Sequence, residues 1–257
     1  METQALAKQR VIIALPCYNE SENLPLLLGK FAELAAFSQS NFALEVVVID
    51  DASTDSTQQA LGTLPESVKA LTNLRVIKHP ENRGLTGGIL TAFEHFSKAI
   101  NETNSVLAVG LMDGDNSHHP GNIPAMLGRI MEGFDVVIAS RYQPGSRVAG
   151  VHWIRRLLSR GMGILFKLRK NIPGVWDYSC GYRLYSKDIV KAVLAAQGSQ
   201  VVTEKNFSCM VELLVNCHKA GGIMTETPFL LRYDLKKGES KMQFKKTIIG
   251  TLKVLNR

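Results

Sequence analysis

The sequence predicts a single-domain α/β protein, a mostly parallel sheet with helices on both faces. Three observations predict it. Through the first 140 residues, short β-rich runs alternate with longer amphipathic stretches, the rhythm of consecutive βαβ units. Every polar motif of that region stands where an apolar run ends, which is where open parallel sheets carry ligands. A chain of 257 residues, 45% hydrophobic and 21% charged, can bury one full core, and no repeat, low-complexity segment or linker marks a second domain.

The elements follow in order. Val11 to Leu15 forms the first strand and gives way to Pro16-Cys17-Tyr18-Asn19-Glu20, then to a helix over 22–37 that acceptor side chains among Asn19-Glu20-Ser21-Glu22 can cap. Leu44 to Ile49 forms the second and ends on Asp50-Asp51-Ala52-Ser53-Thr54-Asp55, where Asp55 can cap a helix over 55–70. The third, Leu74 to Lys78, leads through Asn82-Arg83-Gly84 into a helix over 86–99. Val106 to Met112 runs straight into Asp113-Gly114-Asp115 before a helix over 121–132, and Asp135 to Ser140 is a fifth strand. Four loops thus converge on one crevice at the carboxyl ends of the strands.

Asp113 and Asp115 can share one divalent cation. Carboxylates are the hard ligands that Mg²⁺ or Mn²⁺ prefer, with phosphate oxygens and water filling the other positions, and Gly114 lets a nucleotide approach the backbone. The same spacing also occurs in ordinary turns, so the neighbouring loops decide. Asp50 and Asp51 stand together, and adjacent like charges cost energy unless a ligand or donor uses one; one of them is expected to bind base or ribose. The glycines of Asn82-Arg83-Gly84-Leu85-Thr86-Gly87-Gly88 do not match G-x-G-x-x-G, which argues against a nicotinamide cofactor. His118-His119 has no second ligand pair at workable spacing, which argues against zinc.

A formal charge of +7 and a pI near 9.2 call for an anionic partner: nucleotide, phospholipid or nucleic acid. No nucleic-acid motif accompanies the charge, so nucleic acid is set aside. Cys17, Cys180, Cys209 and Cys217 form no paired spacing and read as core thiols of a reduced, cytosolic chain. Neither a signal peptide nor 18 consecutive apolar residues is present, so a soluble or peripheral protein is expected. Segment 141–170 carries Arg141, Arg147, Arg155, Arg156, Arg160, Lys167, Arg169 and Lys170 without one acidic residue, interleaved with Trp153, Ile154, Leu157, Leu158, Met162, Ile164, Leu165 and Phe166. It reads either as a helix packed on the core with a solvated face or as a surface for an anionic bilayer, with the tail 242–257 alongside.

Taken in order, Pro16 to Glu20, Asp50 to Asp55, Asn82-Arg83-Gly84, Met112 to Pro120 and Ser140-Arg141-Tyr142 resemble the motifs of a family 2 glycosyltransferase of the GT-A fold. With Asp177-Tyr178-Ser179-Cys180-Gly181-Tyr182-Arg183-Leu184-Tyr185 and Gly238-Glu239-Ser240-Lys241, the chain is most similar to the dolichyl-phosphate mannose synthase and polyprenyl-phosphate sugar transferase branch. The resemblance implies one Rossmann-like GT-A domain over 1–257. It implies inverting transfer of a sugar from a nucleotide-diphosphate donor, GDP-mannose or a UDP-sugar, to dolichyl, undecaprenyl or another polyprenyl phosphate. Pro16, Tyr18, Glu20, Ile49 and Asp51 would hold the nucleoside beside Asp113 and Gly114. Asp113 and Asp115, assisted by Ser117, would hold Mg²⁺ or Mn²⁺. Arg141 and Arg183 would face phosphates, with Lys241 adding charge stabilisation.

Two departures qualify the resemblance. Mannose synthases often carry an Arg six residues before the Lys that matches Lys241; that position here is Leu235, with Arg232 and Lys236 nearby as substitutes. Many relatives continue into transmembrane helices, whereas this sequence ends at Arg257, so the expectation is a peripheral protein on the cytoplasmic face of a membrane, or one that does not use lipid. A lipid phosphate is already anionic and needs no general base, whereas a saccharide acceptor calls for one, with Glu204 and Glu212 as candidates and Glu212 equally a buried structural partner. The reading of another class is an inactive, nucleotide-binding, membrane-associated subunit, against which the intact acidic motifs argue.

Overall fold

A computed structural model describes residues 8–39, 41–238 and 244–256, with the backbone alone at 154, 155, 158, 244–246, 248 and 256. Strands β1 (Arg10–Cys17), β2 (Ala43–Asp50), β3 (Arg75–Lys78) and β4 (Val106–Leu111) are parallel neighbours in the order β3-β2-β1-β4. The chain steps from β1 to β2 in one direction and from β3 to β4 in the other. Right-handed crossovers therefore put α1 (Leu24–Ser38) and α4 (Gly84–Glu102) on opposite faces and leave a switch point between β1 and β4. Val11 through Leu15 are all 0% exposed, covered on both faces, which is why β1 reads as a continuous apolar run.

The sheet continues through β7 (Arg183–Ser186), β5 (Val136–Ser140) and β8 (Met224–Pro228), in the order β4-β7-β5-β8, and only β7 runs antiparallel to its neighbours. Helix α4 lies against β1, β2 and β4 and beside α7 (Lys187–Gln197), which meets α8 (Ser208–Lys219); α5 (Ile123–Met131) covers β5, β7 and β8. Helix α9 (Phe244–Asn256) packs on α8 and touches α6 (Trp153–Lys170). A separate two-stranded parallel sheet joins β6 (Arg147–Ala149) to β9 (Leu230–Arg232).

One element differs from expectation. The helix predicted over 55–70 is two, α2 (Thr57–Gly62) and α3 (Glu66–Leu71), divided at Pro65. Proline lacks the N–H that a continuing helix needs and holds the preceding residue out of helical conformation, so it serves here as the N-cap of α3. The four cysteines are buried free thiols, and burial pushes Cys180, Cys209 and Cys217 up to about 12. No helix among the described residues is long and apolar enough to cross a membrane.

Candidate active site

The loops after β1 and β2 are tied into one unit. Asn19 donates its N–H to Ser53 Oγ at 2.8 Å and accepts from Thr54 N–H at 2.8 Å; Glu20 N–H reaches Thr57 Oγ1 at 2.9 Å. Asp55 accepts the Thr57 N–H at 2.9 Å at the start of α2, although the N-cap position itself falls at Ser56, whose side chain caps nothing. Helix α1 departs from expectation: its N-cap is Asn23, whose side chain caps nothing; its amide donates to Glu20 Oε2 at 2.6 Å and to the Lys237 carbonyl at 3.1 Å and accepts the Lys237 N–H at 2.9 Å.

Both members of the Asp50-Asp51 pair are engaged by the protein itself. Asp50, 0% exposed, accepts from Ser53 N–H at 3.0 Å and from the Gln58 amide. Asp51 accepts the N–H groups of Arg83 at 2.8 Å and Gly84 at 2.7 Å and meets His79 Nδ1 at 2.7 Å, while His79 Nε2 meets Thr91 Oγ1 at 2.9 Å. These donors offset the cost of adjacent charges and fix the turn that starts α4. A cavity of about 390 Å³ opens beside them, lined by Ala52, Ser53, Lys78, His79 and Pro80. Pro16 and Tyr18 are half-buried at the end of β1, and Glu20 is buried. Ile49 is corrected: its side chain is 0% exposed in the core and its backbone lies in the ladder between Pro16 and Ile77, so it presents nothing to a nucleoside.

Asp113 and Asp115 stand past the end of β4, at the switch point. The Asp113 side chain is 32% exposed, no hydrogen bond from the described residues reaches it, and His118 Nδ1, buried and without a hydrogen-bond partner, lies 4.0 Å away. Burial raises the Asp113 carboxyl, His118 opposes the rise and Asp115 adds to it. Asp115 is more enclosed. Its Oδ1 accepts from the Ser117 hydroxyl at 2.6 Å and N–H at 3.1 Å, and its Oδ2 accepts from Lys236 Nζ at 2.8 Å. Burial would raise Asp115, but Lys236 outweighs it, helped by His118 and Ser117, and holds the carboxyl below its ordinary range. Ser117 therefore turns its hydroxyl toward Asp115. Gly114 is small for a local reason: a Cβ there would lie 3.1 Å from that of Cys17. Gly181 is constrained in the same way, since a Cβ would stand 3.0 Å from Asp113 Oδ1.

Among the described residues no three His, Cys, Asp or Glu groups are arranged to hold a metal ion alone. Asp113 and Asp115 nonetheless fit a hard divalent cation, because Asp115 Oδ2 already takes a positive charge and a diphosphate can complete the coordination. Such an ion would supply Lewis-acid stabilisation of a departing diphosphate.

Arg141 follows β5 and is locked to Asp177. Its Nε and Nη2 donate to the two Asp177 oxygens at 2.7 and 2.6 Å, its N–H adds a third bond at 3.0 Å, and Nη2 also reaches Ser179 Oγ at 2.7 Å. Glu226 on β8 sets this grip, since its Oε1 accepts from Trp176 N–H at 2.7 Å and Asp177 N–H at 2.6 Å. Sequence reasoning assigned no role to Asp177 or Glu226; the acidic residue between Thr225 and Thr227, just before the apolar Phe229-Leu230-Leu231, was the available signal. Arg183 is corrected. At 0% exposure its guanidinium donates to the carbonyls of Met210 at 2.6 Å and Tyr178 at 2.8 Å, so it braces β7 against α8 and does not face the crevice. Of the two substitutes for the missing arginine, Arg232 pairs with Asp234, and Lys236 alone reaches the crevice. Lys241 lies outside the described residues. Both oxygens of Glu212 are taken by Thr203 N–H, Thr203 Oγ1 and Glu204 N–H, each at 2.7 Å, which fits its structural reading.

Helix α6 packs one face on the core and leaves the other exposed. Phe166, 2% exposed, stacks on Tyr178 with ring centres 5.2 Å apart, so one face packs inward. Trp153, Leu157, Ile164 and Leu168, spaced to share the opposite face, are 66%, 63%, 56% and 78% exposed, among the exposed Arg156, Arg160 and Arg169. Trp176 is also exposed beside them, with Lys167 Nζ 5.2 Å above its ring.

A mostly parallel sheet with an acidic pair at its switch point and a cavity beside the second and third strands is the architecture of a transferase of the glycosyl-transfer class, and residues 12–194 match Glycosyl transferase family 2, to which the chain belongs. The chain is 28% identical over 235 residues to polyprenol monophosphomannose synthase of Mycolicibacterium smegmatis, covering 91% of this chain and 81% of that one. It is 27% identical over 233 residues to undecaprenyl-phosphate mannosyltransferase of Micrococcus luteus, covering 91% and 87%. In fold it resembles glucosyl-3-phosphoglycerate synthase of Mycobacterium tuberculosis in complex with Mn²⁺, UDP and glucosyl-3-phosphoglycerate, with a TM-score of 0.65 at 15% identity over 97% of this chain and 79% of that one. The same synthase with Mg²⁺ and UDP gives 0.63 at 16% identity, covering 97% and 80%.

Proposed function

We propose that the protein transfers a hexose from a nucleotide-diphosphate donor to a polyprenyl phosphate with inversion at the anomeric carbon. The observation that carries this reading is the alignment of 91% of the chain with each of two relatives named for mannosyl transfer to polyprenyl phosphates. Asp113 and Asp115 would hold a divalent ion, which would supply charge neutralisation for the diphosphate. Pro16, Tyr18 and the loop ordered by Asp51 border the nucleoside. Arg141, held in register by Asp177, offers charged N–H groups to phosphate oxygens. A phosphate nucleophile arrives ionised, so positioning and charge stabilisation suffice. A saccharide acceptor would need a base, and of the two candidates, Glu204 and Glu212, the latter has both oxygens engaged.

The outward face of α6 is the surface we assign to an anionic bilayer on the cytoplasmic side. Exposed Trp and Leu side chains among arginines, without acidic residues, match the apolar and charged layers of that interface. A panel of GDP- and UDP-sugars, each offered with one polyprenyl phosphate and with free saccharides, tests the reading. Sugar transferred to the lipid phosphate from one donor supports it; transfer to saccharides alone, or none with any donor, overturns it.

A further inference from the structure

Lys236, one of the two substitutes for the missing arginine, makes a contact the sequence did not predict. Its ammonium donates to Asp115 Oδ2 at 2.8 Å, and the two side chains are 10% and 12% exposed, so solvent screens the pair weakly. The segment carrying it is fastened on both sides of the lysine. Arg232 N–H, at the end of β9, donates to the Ser117 carbonyl at 2.9 Å, and the Lys237 backbone is paired in both directions with the Asn23 side chain. A 3₁₀ turn over Tyr233–Leu235 bridges the two anchors and delivers the lysine to the carboxylate from above. Burial alone would make the ammonium easier to deprotonate, yet Asp115 more than reverses this and raises Lys236 above its ordinary value.

We propose that Lys236 is a tethered competitor for the divalent cation: it occupies Asp115 Oδ2 until an ion displaces it, and so weakens binding of the bare metal. This rests on the assignment of Asp113 and Asp115 to that ion. The carboxylate oxygen that would bind the ion accepts the ammonium in the present arrangement, and two cations packed against one enclosed oxygen repel each other. Metal therefore binds poorly alone and well when a diphosphate adds its negative charge and its own oxygens. The turn after β9 thereby couples occupancy of the cation site to the presence of donor. The free ammonium, released from Asp115, stays within the crevice because Asn23 still holds the residue that follows it.

Mn²⁺ titrated into nucleotide-free protein and followed by electron paramagnetic resonance of the free ion tests this without reference to turnover. Lys236→Met is expected to bind Mn²⁺ about tenfold tighter or more, the scale of one competing charge-assisted hydrogen bond. Lys236→Arg should stay near wild type, because it keeps the charge. Asn23→Ala, which unfastens the segment and leaves Lys236 in place, should fall between them and keeps the test open if Lys236→Met does not fold. Equal affinity in wild type, Lys236→Met and Asn23→Ala overturns the competition while leaving the cation site standing. Absence of Mn²⁺ binding in every variant, with or without UDP or GDP, overturns the cation site itself.

Discussion

Asp177→Ala removes a carboxylate that serves four donors: the N–H, Nε and Nη2 of Arg141 and the N–H of Cys180, at 2.6 to 3.1 Å. The Asp177 side chain is 0% exposed and that of Arg141 21%, so the substitution strands a largely enclosed guanidinium and two main-chain donors. Removing one partner of a buried ion pair costs roughly 3–5 kcal/mol, and the remaining access of Arg141 to water places this case near the lower end. For a domain of this size, about 3 kcal/mol lowers the melting temperature by roughly 6–12 °C. Calorimetry and circular dichroism at neutral pH measure it, and Asp177→Asn, which keeps one acceptor oxygen, should lose less. Acid supplies a second check. Burial would raise the Asp177 carboxyl, but Arg141 overrides it and holds it below the ordinary value, so its stabilisation is complete above about pH 4 and fades as pH falls through the depressed value. The gap between wild type and Asp177→Ala should therefore narrow in acid. A loss under about 1 kcal/mol, or a gap that stays constant to the lowest pH at which wild type is folded, refutes the reasoning.

Asp115→Asn should lower transfer by at least about a hundredfold, roughly 3 kcal/mol of transition-state stabilisation, and full wild-type activity in excess EDTA would refute the metal assignment. Arg183→Lys keeps the charge but not the fork that spans two carbonyls, so it should lower stability by about 2 kcal/mol or more and leave the KM for donor unchanged. An unchanged melting temperature with a raised KM would return Arg183 to the crevice. Changing Arg156, Arg160 and Arg169 to Glu should cut flotation with anionic liposomes about a hundredfold or more at modest salt, at about 1 kcal/mol per basic residue, without affecting neutral vesicles. Equal flotation of wild type and the triple variant refutes the docking face.

The fold was legible because its signal is repeated. Each βα step pairs an apolar run with an amphipathic stretch, and β1 is so fully covered that no polar residue interrupts it. Break points were less legible. Pro65 stood in a stretch whose periodicity read as one helix, and the β6–β9 sheet joins segments of only three residues each, too short for periodicity to register. Long-range pairings were not legible at all: that Asn23 would fasten residue 237, or Glu226 the backbone at 176–177, depends on side chains meeting across the fold.

The two acidic pairs look alike in sequence and are held differently by the fold. Asp50-Asp51 and Asp113-Gly114-Asp115 are carboxylates at the ends of apolar runs, and a ligand was expected at both. The difference lies in who donates. Asp50 and Asp51 are supplied by backbone N–H groups of their own and a neighbouring loop, by Gln58 and by His79, so their charges shape the crevice. Asp113, at the same level of the sheet, receives no hydrogen bond from the described residues and keeps a third of its surface open. A half-enclosed carboxylate beside a second carboxylate is held in its ionised form by a nearby cation. Lys236 provides that at Asp115, and the position at Asp113 is the one we propose for an ion that arrives with its own anion.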